Sequence, residues 1–433
     1  MDRSGDTIFA LATASGMAAV AVMRISGPAS ARVLAALCGG RLPTPRHASL
    51  RRLHDHAGEV LDQALVLWLP GPGTYTGEDS AELHVHGARA VVHAVAGELV
   101  ALGIRPAESG EFTKRAFLNG RMDLVQAEAV HDLVAAETDA QLRQALRQLD
   151  GALGAIYRGW SDRLRVILAQ QEALIDFPDE DLPPEVEADL LATMSALRTE
   201  IAAHLNDAHR GEKLREGLFF AIIGRPNVGK SSLMNALAER DVAIVSSIPG
   251  TTRDALEARV ILGGVPITLV DTAGLREAED AIEAEGVRRG LARAREADLV
   301  LEVVEAGSVI FPEAAGGLRL LVANKSDLGG VGPDGALRVS ALTGEGIDTL
   351  RALLASRARH LTQSAGPPPL TRVRHRAALQ TALRQLEGAE AADLPELRGE
   401  DLRLAMRAIG SITGQVGIED ILDTLFASFC IGK

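Results

Sequence analysis

Gly224, Gly229, Lys230 and Ser231 stand in the order Gly-Arg-Pro-Asn-Val-Gly-Lys-Ser, after the strand-like run Leu218 to Ile223 and before the helical run Ser232 to Ala238. This is a GxxxxGKS loop in its required strand-to-helix setting. Its glycines let backbone N–H groups close around phosphates at a helix N-terminus, Lys230 reaches the β and γ oxygens, and the Ser231 hydroxyl sits on Mg²⁺. Asp271-Thr-Ala-Gly274 follows the apolar strand Ile267 to Val270, where a carboxylate behind Mg²⁺ and a glycine sensing the γ-phosphate are needed. Asn324-Lys-Ser-Asp327 follows Leu320 to Ala323. Asp327 can accept from the N1–H and 2-amino group of guanine, a donor pair that adenine lacks, so the element selects GTP over ATP. Ser340-Ala-Leu342 supplies backbone contacts to the base. Gly250-Thr-Thr-Arg-Asp254 can close on the γ-phosphate, with Thr252 completing the Mg²⁺ shell.

The GTP and GDP contacts expected in these motifs are Asn227, Val228, Gly229, Lys230, Ser231, Ser232, Gly250, Thr251, Thr252, Asp271, Thr272, Ala273, Gly274, Asn324, Lys325, Ser326, Asp327, Ser340, Ala341 and Leu342; Ser246, Ser247, Ile248 and Pro249 join them through the family resemblance given below. Mg²⁺ is expected on Ser231 and Thr252. Leu275 stands where many GTPases carry a glutamine that orients the attacking water, which closes that route. The acidic stretch offers Glu277, Glu279, Asp280, Glu283 and Glu285 instead, and residue type alone does not choose among them. Asn227 could offer its carbonyl to a monovalent cation beside the phosphates; it reads equally as a turn residue after Pro226.

These elements need a parallel α/β sheet to hold them, and the alternation of apolar strands, glycine turns and helices from Gly217 to about Leu361 predicts one. Around it the pattern differs. Short β-like runs (Ala19 to Ile25, Ala64 to Leu69, Ala81 to Val85) alternate with Ala-rich helical stretches up to about Arg121, which predicts a small α/β domain. From Asp123 to about Asp176, Leu142, Leu146, Leu149, Leu153 and Leu164 recur at spacings that predict one or more long amphipathic helices. A further helix is expected from Glu185 to about His209, and helical periodicity returns from Arg372 to Phe429 after the Ser/Gly/Pro-rich segment Gln363 to Leu370. The fold class is thus α/β and all-α multidomain: an N-terminal α/β domain over residues 1–121, a helical domain in two parts over 122–215 and 371–433, and an inserted Ras-like P-loop GTPase domain over 216–362.

The chain has 433 residues and a formal net charge of −13, which excludes the broad positive field of a dedicated nucleic-acid binder. Arg372, Arg374 and Arg376 form a local basic stretch that reads as a solvated face. Cys38 and Cys430 lack the spacing of a zinc site or disulfide scaffold, and neither a signal peptide nor a membrane span is legible, so a reducing, cytoplasmic setting is expected.

The phosphate loop with its asparagine, Gly250-Thr-Thr-Arg-Asp254, Asp271-Thr-Ala-Gly-Leu-Arg-Glu277 and the ending Phe429-Cys-Ile-Gly-Lys433 closely resemble the MnmE (TrmE) family of tRNA-modification GTPases. Pro70-Gly-Pro-Gly73, Thr76-Gly-Glu-Asp79, Gly110-Glu-Phe112, Arg115-Ala-Phe-Leu-Asn119 and Ile175-Asp-Phe-Pro-Asp-Glu180 extend the likeness over the whole chain. The resemblance implies an N-terminal domain similar to folate-binding one-carbon domains and a homodimer whose G domains pair in a potassium-dependent way. It implies K⁺ ligation by Asn227, Thr251 and the backbone of Ser246 and Ile248, with Glu283 as the catalytic, water-positioning glutamate. It further implies joint action with MnmG, a flavin-dependent partner, to add an aminomethyl or carboxymethylaminomethyl group at C5 of the wobble uridine of certain tRNAs. The one-carbon unit comes from a tetrahydrofolate derivative, 5,10-methylene- or 5-formyl-tetrahydrofolate, at positions matching Arg24, Glu82, Arg121 and Lys433. Arg121 replaces the family's usual lysine, exchanging a point donor for a fork.

Cys430 matches a family cysteine near the folate site, although a lone cysteine beside Phe429 also reads as a small buried hydrophobe. His84 and His86 alternate on a strand without a third ligand, so a structural role is expected. Val303-Val-Glu-Ala306 stands where a strand often ends in aspartate, a departure that nucleotide binding is expected to survive. A GTP-switched RNA-binding or ribosome-assembly factor is the competing reading, and a folate-dependent aminomethyl-transfer enzyme merely regulated by its GTPase is a third.

Overall fold

The computed structural model describes residues 5–14, 16–176, 184–238, 256–271, 296–307, 318–363 and 366–416, together with 422, 425–427, 429 and 432. The chain divides into two compact units, Met1–His131 with Ile409–Lys433, and Asp132–Ala408.

In the first unit six strands form one sheet: β1 (Ile8–Leu11), β2 (Ala18–Ser26), β3 (Ser49–His54), β4 (Val60–Leu69), β5 (Ser80–Gly87) and β6 (Arg105–Pro106), in the order β3-β4-β5-β2-β1-β6. The three expected strands are present and slightly longer. Period-two alternation sends Ala21, Met23 and Ile25 of β2 and Ala81, Leu83 and Val85 of β5 into one core, closed by Val33, Leu34, Val95 and Leu99 of two helices. Arg24, Glu82 and His84 take the alternate positions. Beyond them Ile8, Ala10 and Phe112 make a smaller cluster. The chain's last described residues return to this unit, where Leu422, Phe426 and Phe429 pack with Leu124 and Ala127.

The amphipathic stretch is broken into helices Leu124–Ala135, Asp139–Leu149 and Ala152–Asp176, the last two in the second unit. Thr138 caps the Asp139–Leu149 helix by accepting from Gln141 N. Its buried face is not the leucine stripe: Leu142 and Leu146 are 39% and 41% exposed, while Gln141, Ala145 and Gln148 are buried. The glutamines go inward because they have partners there, Gln141 Nε2 donating to Arg215 O at 3.0 Å and Gln148 Oε1 accepting from Thr371 Oγ1 at 2.9 Å. The next helix ends at Leu205 rather than near His209, since Ala208 and His209 adopt φ of 54° and 59°, and a short helix Arg210–Glu216 follows.

The second sheet contains β7 (Leu218–Ile223), β8 (Leu256–Leu262), β9 (Val265–Asp271), β10 (Leu299–Glu305), β11 (Arg319–Asn324) and β12 (Leu337–Arg338) in the order β12-β11-β10-β7-β9-β8, with only β8 antiparallel to its neighbour. Strands buried on both faces explain the nearly continuous apolar runs. After β7 the chain first builds β8 and β9 on one side, then crosses to β10 on the other. The carboxyl ends of β7 and β10 therefore flank a topological switch point, where open α/β sheets bind ligands.

Arg372 and Arg376 correct the solvated-face reading of the basic stretch. Arg376 is 8% exposed and donates to Asp207 at 2.6 Å and to Glu212 at 3.2 Å, while Arg372 donates to Asp132 at 2.7 Å. These are structural ion pairs in the helical region.

Candidate functional site

The loop between β7 and the helix Lys230–Ala238 occupies the switch point. Two of its backbone positions require glycine and a third favours asparagine. Gly224 has φ 153°, and a Cβ there would lie 2.2 Å from Val303 O. Gly229 has φ 89°, with Asn324 Nδ2 only 2.3 Å from where a Cβ would be. Asn227 is left-handed at φ 64°, a conformation asparagine tolerates better than most side chains. That turn presents Asn227 at the surface.

Lys230, 5% exposed, folds back over the loop so that its ammonium donates to Gly224 O at 3.0 Å and Arg225 O at 2.7 Å. A buried ammonium inside a ring of loop backbone is placed to receive phosphate oxygens. Ser231 Oγ lies 2.6 Å from Asp271 Oδ2, and Asp271, at the end of β9, is 1% exposed. A hydroxyl and a carboxylate from separate elements thus meet at one point beside the loop. Hard oxygen donors of this kind suit Mg²⁺.

The base-reading elements are joined to the phosphate loop by one side chain. Asn324, 2% exposed at the end of β11, donates from Nδ2 to Val228 O at 2.8 Å and accepts at Oδ1 from Ala341 N at 3.0 Å. Asp327 is exposed, and its Oδ1 accepts from Ser340 Oγ at 2.6 Å. Ser340 is fully buried, its own N–H donating to Glu345 O at 2.9 Å, and Ser326 Oγ donates to Glu345 Oε2 at 3.2 Å. Glu345 was not singled out in the sequence; the turn Thr343-Gly-Glu-Gly346 immediately after Ser340-Ala-Leu342 was the available signal. Lys325 is left-handed at φ 64° and Leu342 is 87% exposed.

The described residues therefore bring together Asn227, Val228, Gly229, Lys230, Ser231, Ser232, Asp271, Asn324, Lys325, Ser326, Asp327, Ser340, Ala341 and Leu342. Ser246, Ser247, Ile248, Pro249, Gly250, Thr251, Thr252, Thr272, Ala273, Gly274, Glu283, Cys430 and Lys433 lie outside the described residues.

In the first unit Arg24 and Glu82 are cross-strand neighbours on β2 and β5. Arg24 Nε and Nη2 both donate to Glu82 Oε1, at 3.1 and 3.0 Å, and the guanidinium carbon lies 5.8 Å from the Tyr75 ring centre and 5.9 Å from that of Phe112. His84 Nε2 is 3.3 Å from Glu82 Oε2. Arg121 lays its stem against Gly77, whose Cβ would sit 3.3 Å from Arg121 Cδ. His86 Nδ1 pairs with Asp62 at 2.7 Å. Each histidine on this strand thus has a carboxylate partner, and among the described residues no group of three or more His, Cys, Asp or Glu could hold a metal.

In the same unit Arg115 and Arg105, the latter on β6, gather carboxylates. Arg115 donates to Asp6 at 2.6 Å and Glu111 at 3.0 Å, and Arg105 donates to Glu111 at 2.6 Å. Burial works to raise the Glu111 carboxyl, but these guanidinium groups and the Glu108 N–H outweigh it and hold Glu111 below the usual carboxylate range.

Residues 7–121 match the family model described as the GTP-binding protein TrmE N-terminus, and residues 124–430 match that of the MnmE helical domain. The protein named tRNA modification GTPase MnmE from Granulibacter bethesdensis is 56% identical over 440 residues, spanning 99% of this chain and 100% of that one. The protein of the same name from Gluconacetobacter diazotrophicus is 60% identical over 98% of each chain, and that from Rhodospirillum rubrum 54% identical over 99% of each. Among the described residues no helix is long and apolar enough to cross a membrane.

Proposed function

The chain belongs to the MnmE family of tRNA modification GTPases, and from that membership we propose that it hydrolyses GTP to drive modification of the wobble uridine of certain tRNAs. In this reading it acts as a homodimer in the cytoplasm with the flavin-dependent MnmG, adding an aminomethyl or carboxymethylaminomethyl group at C5 from a tetrahydrofolate one-carbon unit. The observation that carries the GTPase reading is the Asn324 brace, which links the phosphate loop to the guanine-reading loop through one side chain. Residues 1–121 are assigned to one-carbon binding, 216–362 to the GTPase, and 122–215 with 371–433 to the helical domain.

Each group has a defined task. Backbone N–H groups of the loop and Lys230 bind and orient the β- and γ-phosphates. Ser231, backed by Asp271, and Thr252 would hold Mg²⁺, which when bound would supply positive charge to the phosphates. The Ser231–Asp271 meeting point fits that role. Asp327 orients the guanine edge and excludes adenine. With Leu275 in place of a glutamine, Glu283 positions the attacking water. Asn227, Thr251 and the backbone of Ser246 and Ile248 would hold K⁺, which when bound would supply the positive charge that an arginine finger supplies elsewhere.

Arg24, Glu82, Arg121 and Lys433 are the proposed folate-binding set, with Cys430 as a candidate reactive group. The Arg24–Glu82 pair supports this assignment because it sets a cation, close to the Tyr75 and Phe112 rings, beside an acceptor. The net charge of −13 fits a tRNA contact that is local or shared with the partner.

GTP turnover by the purified chain in matched potassium and sodium buffers tests the cation mechanism. Strong stimulation by potassium is expected; equal rates in both salts would remove Asn227 and its partners from the chemistry.

A further inference from the structure

Glu305 ends β10 and stands beside Asn324 in the parallel register with β11. Its position is set by backbone. Ala306 N donates to Asn324 O at 2.8 Å and Gly307 N to Val331 O at 3.1 Å. A Cβ on Gly330 would lie 2.3 Å from Ala306 O, so the loop after the base-reading motif packs directly on this turn, with no side chain between them. From there the Glu305 carboxylate reaches the ammonium of Lys325 at 3.2 Å.

Lys325 sits between Asn324, the brace, and Asp327, the base reader. Its left-handed φ of 64° is held by Ser326 N donating to Val339 O at 3.0 Å and by Leu328 N donating to Lys325 O, also at 3.0 Å. A lysine fixed at its backbone and at its ammonium has little freedom left in its methylene stem, which is the part that can lie against an apolar ring face.

We propose that Glu305 is a positioning residue of the guanine-nucleotide site: by holding the Lys325 ammonium it fixes the lysine stem as a wall against the guanine ring and slows nucleotide release. The proposal rests on the GTP-binding reading. As a folding contact the pair contributes little, since Lys325 and Glu305 are 32% and 42% exposed. Its effect is on where the stem lies. The departure from aspartate at the end of β10 thereby acquires a role, because the extra methylene of glutamate extends the carboxylate toward the neighbouring strand.

The test is release of fluorescently labelled GDP from the full-length protein, followed by stopped flow for the parent, Glu305→Gln, Lys325→Met and the double variant, with thermal unfolding as the control for folding. Glu305→Gln is expected to release GDP about two- to fivefold faster, the scale of one partly exposed ion pair, with an unchanged melting temperature. The double variant is expected to match Lys325→Met alone, and the acceleration in Glu305→Gln is expected to shrink as salt weakens the parent pair. Unchanged release in Glu305→Gln, or effects that multiply in the double variant, would overturn the proposal. A parent that retains no labelled GDP would overturn the nucleotide-site reading beneath it.

Discussion

Replacing Asp327 by asparagine should turn the nucleotide preference from guanine toward xanthine. The carboxylate is oriented by Ser340 Oγ at 2.6 Å, and Ser340 is itself fully buried and held by Glu345. Both carboxylate oxygens therefore face fixed directions. Guanine offers two donors, N1–H and the 2-amino group, and hydrogen bonds to a charged partner contribute about 1.5–3 kcal/mol each. In Asp327→Asn one oxygen becomes an NH₂ that meets a donor instead of accepting from it. The loss is at least one such bond plus the charge on the other, about 3 kcal/mol, or roughly a hundredfold weaker GTP binding. Xanthine carries a carbonyl in place of the 2-amino group, accepts from the new amide, and should bind the variant better than GTP does. Competition of GTP, XTP and ITP against labelled GDP measures the ranking within one protein, so a general loss of stability cancels. A variant that keeps the parental preference for GTP over XTP would refute the assignment of Asp327 to the base edge.

Asn324→Ala removes both halves of the brace and leaves Val228 O and Ala341 N–H without that side-chain partner; nucleotide-dependent stabilisation should fall by about 2–4 kcal/mol, read as the GDP-induced shift in melting temperature. Glu283→Ala should retain GTP binding and lose most turnover, whereas unchanged turnover with intact binding would remove Glu283 from the mechanism. For Glu111, a depressed folded-state value means its stabilising contribution is fully present above the unfolded value of about 4.3 and is lost as pH falls through the folded one. Thermal unfolding followed below about pH 4.3 should therefore show a shallower acid loss in Glu111→Gln than in the parent; parallel curves would contradict the ion-pair reading.

The GTPase motifs were legible because local chemistry dictates them. A loop that must wrap phosphate at a helix N-terminus needs glycine where backbone approaches closely, as Gly224 and Gly229 show against Val303 and Asn324. Strands β7, β9, β10 and β11 announced themselves as apolar runs because a parallel sheet buries both faces. Less was legible where partners are far apart in the chain. Arg376 and Asp207 are separated by 169 positions and Arg372 and Asp132 by 240, so no window of periodicity could recover either ion pair. The leucine stripe of the Asp139–Leu149 helix misled for the same reason: the Gln148 partner, Thr371, lies 223 residues on. In the first unit the strands were readable from alternation, but not the engagement of Glu82 by both Arg24 and His84, which depends on strand register.

The most direct test of the tRNA-modifying role is nucleoside mass spectrometry of tRNA lacking the wobble modification after incubation with this chain, the flavin-dependent partner, GTP, potassium, an amine donor and methylene-tetrahydrofolate. A GTP- and folate-dependent gain of the aminomethyl or carboxymethylaminomethyl mass on the wobble uridine is predicted. GTP consumption with active partner and unmodified uridine would contradict it.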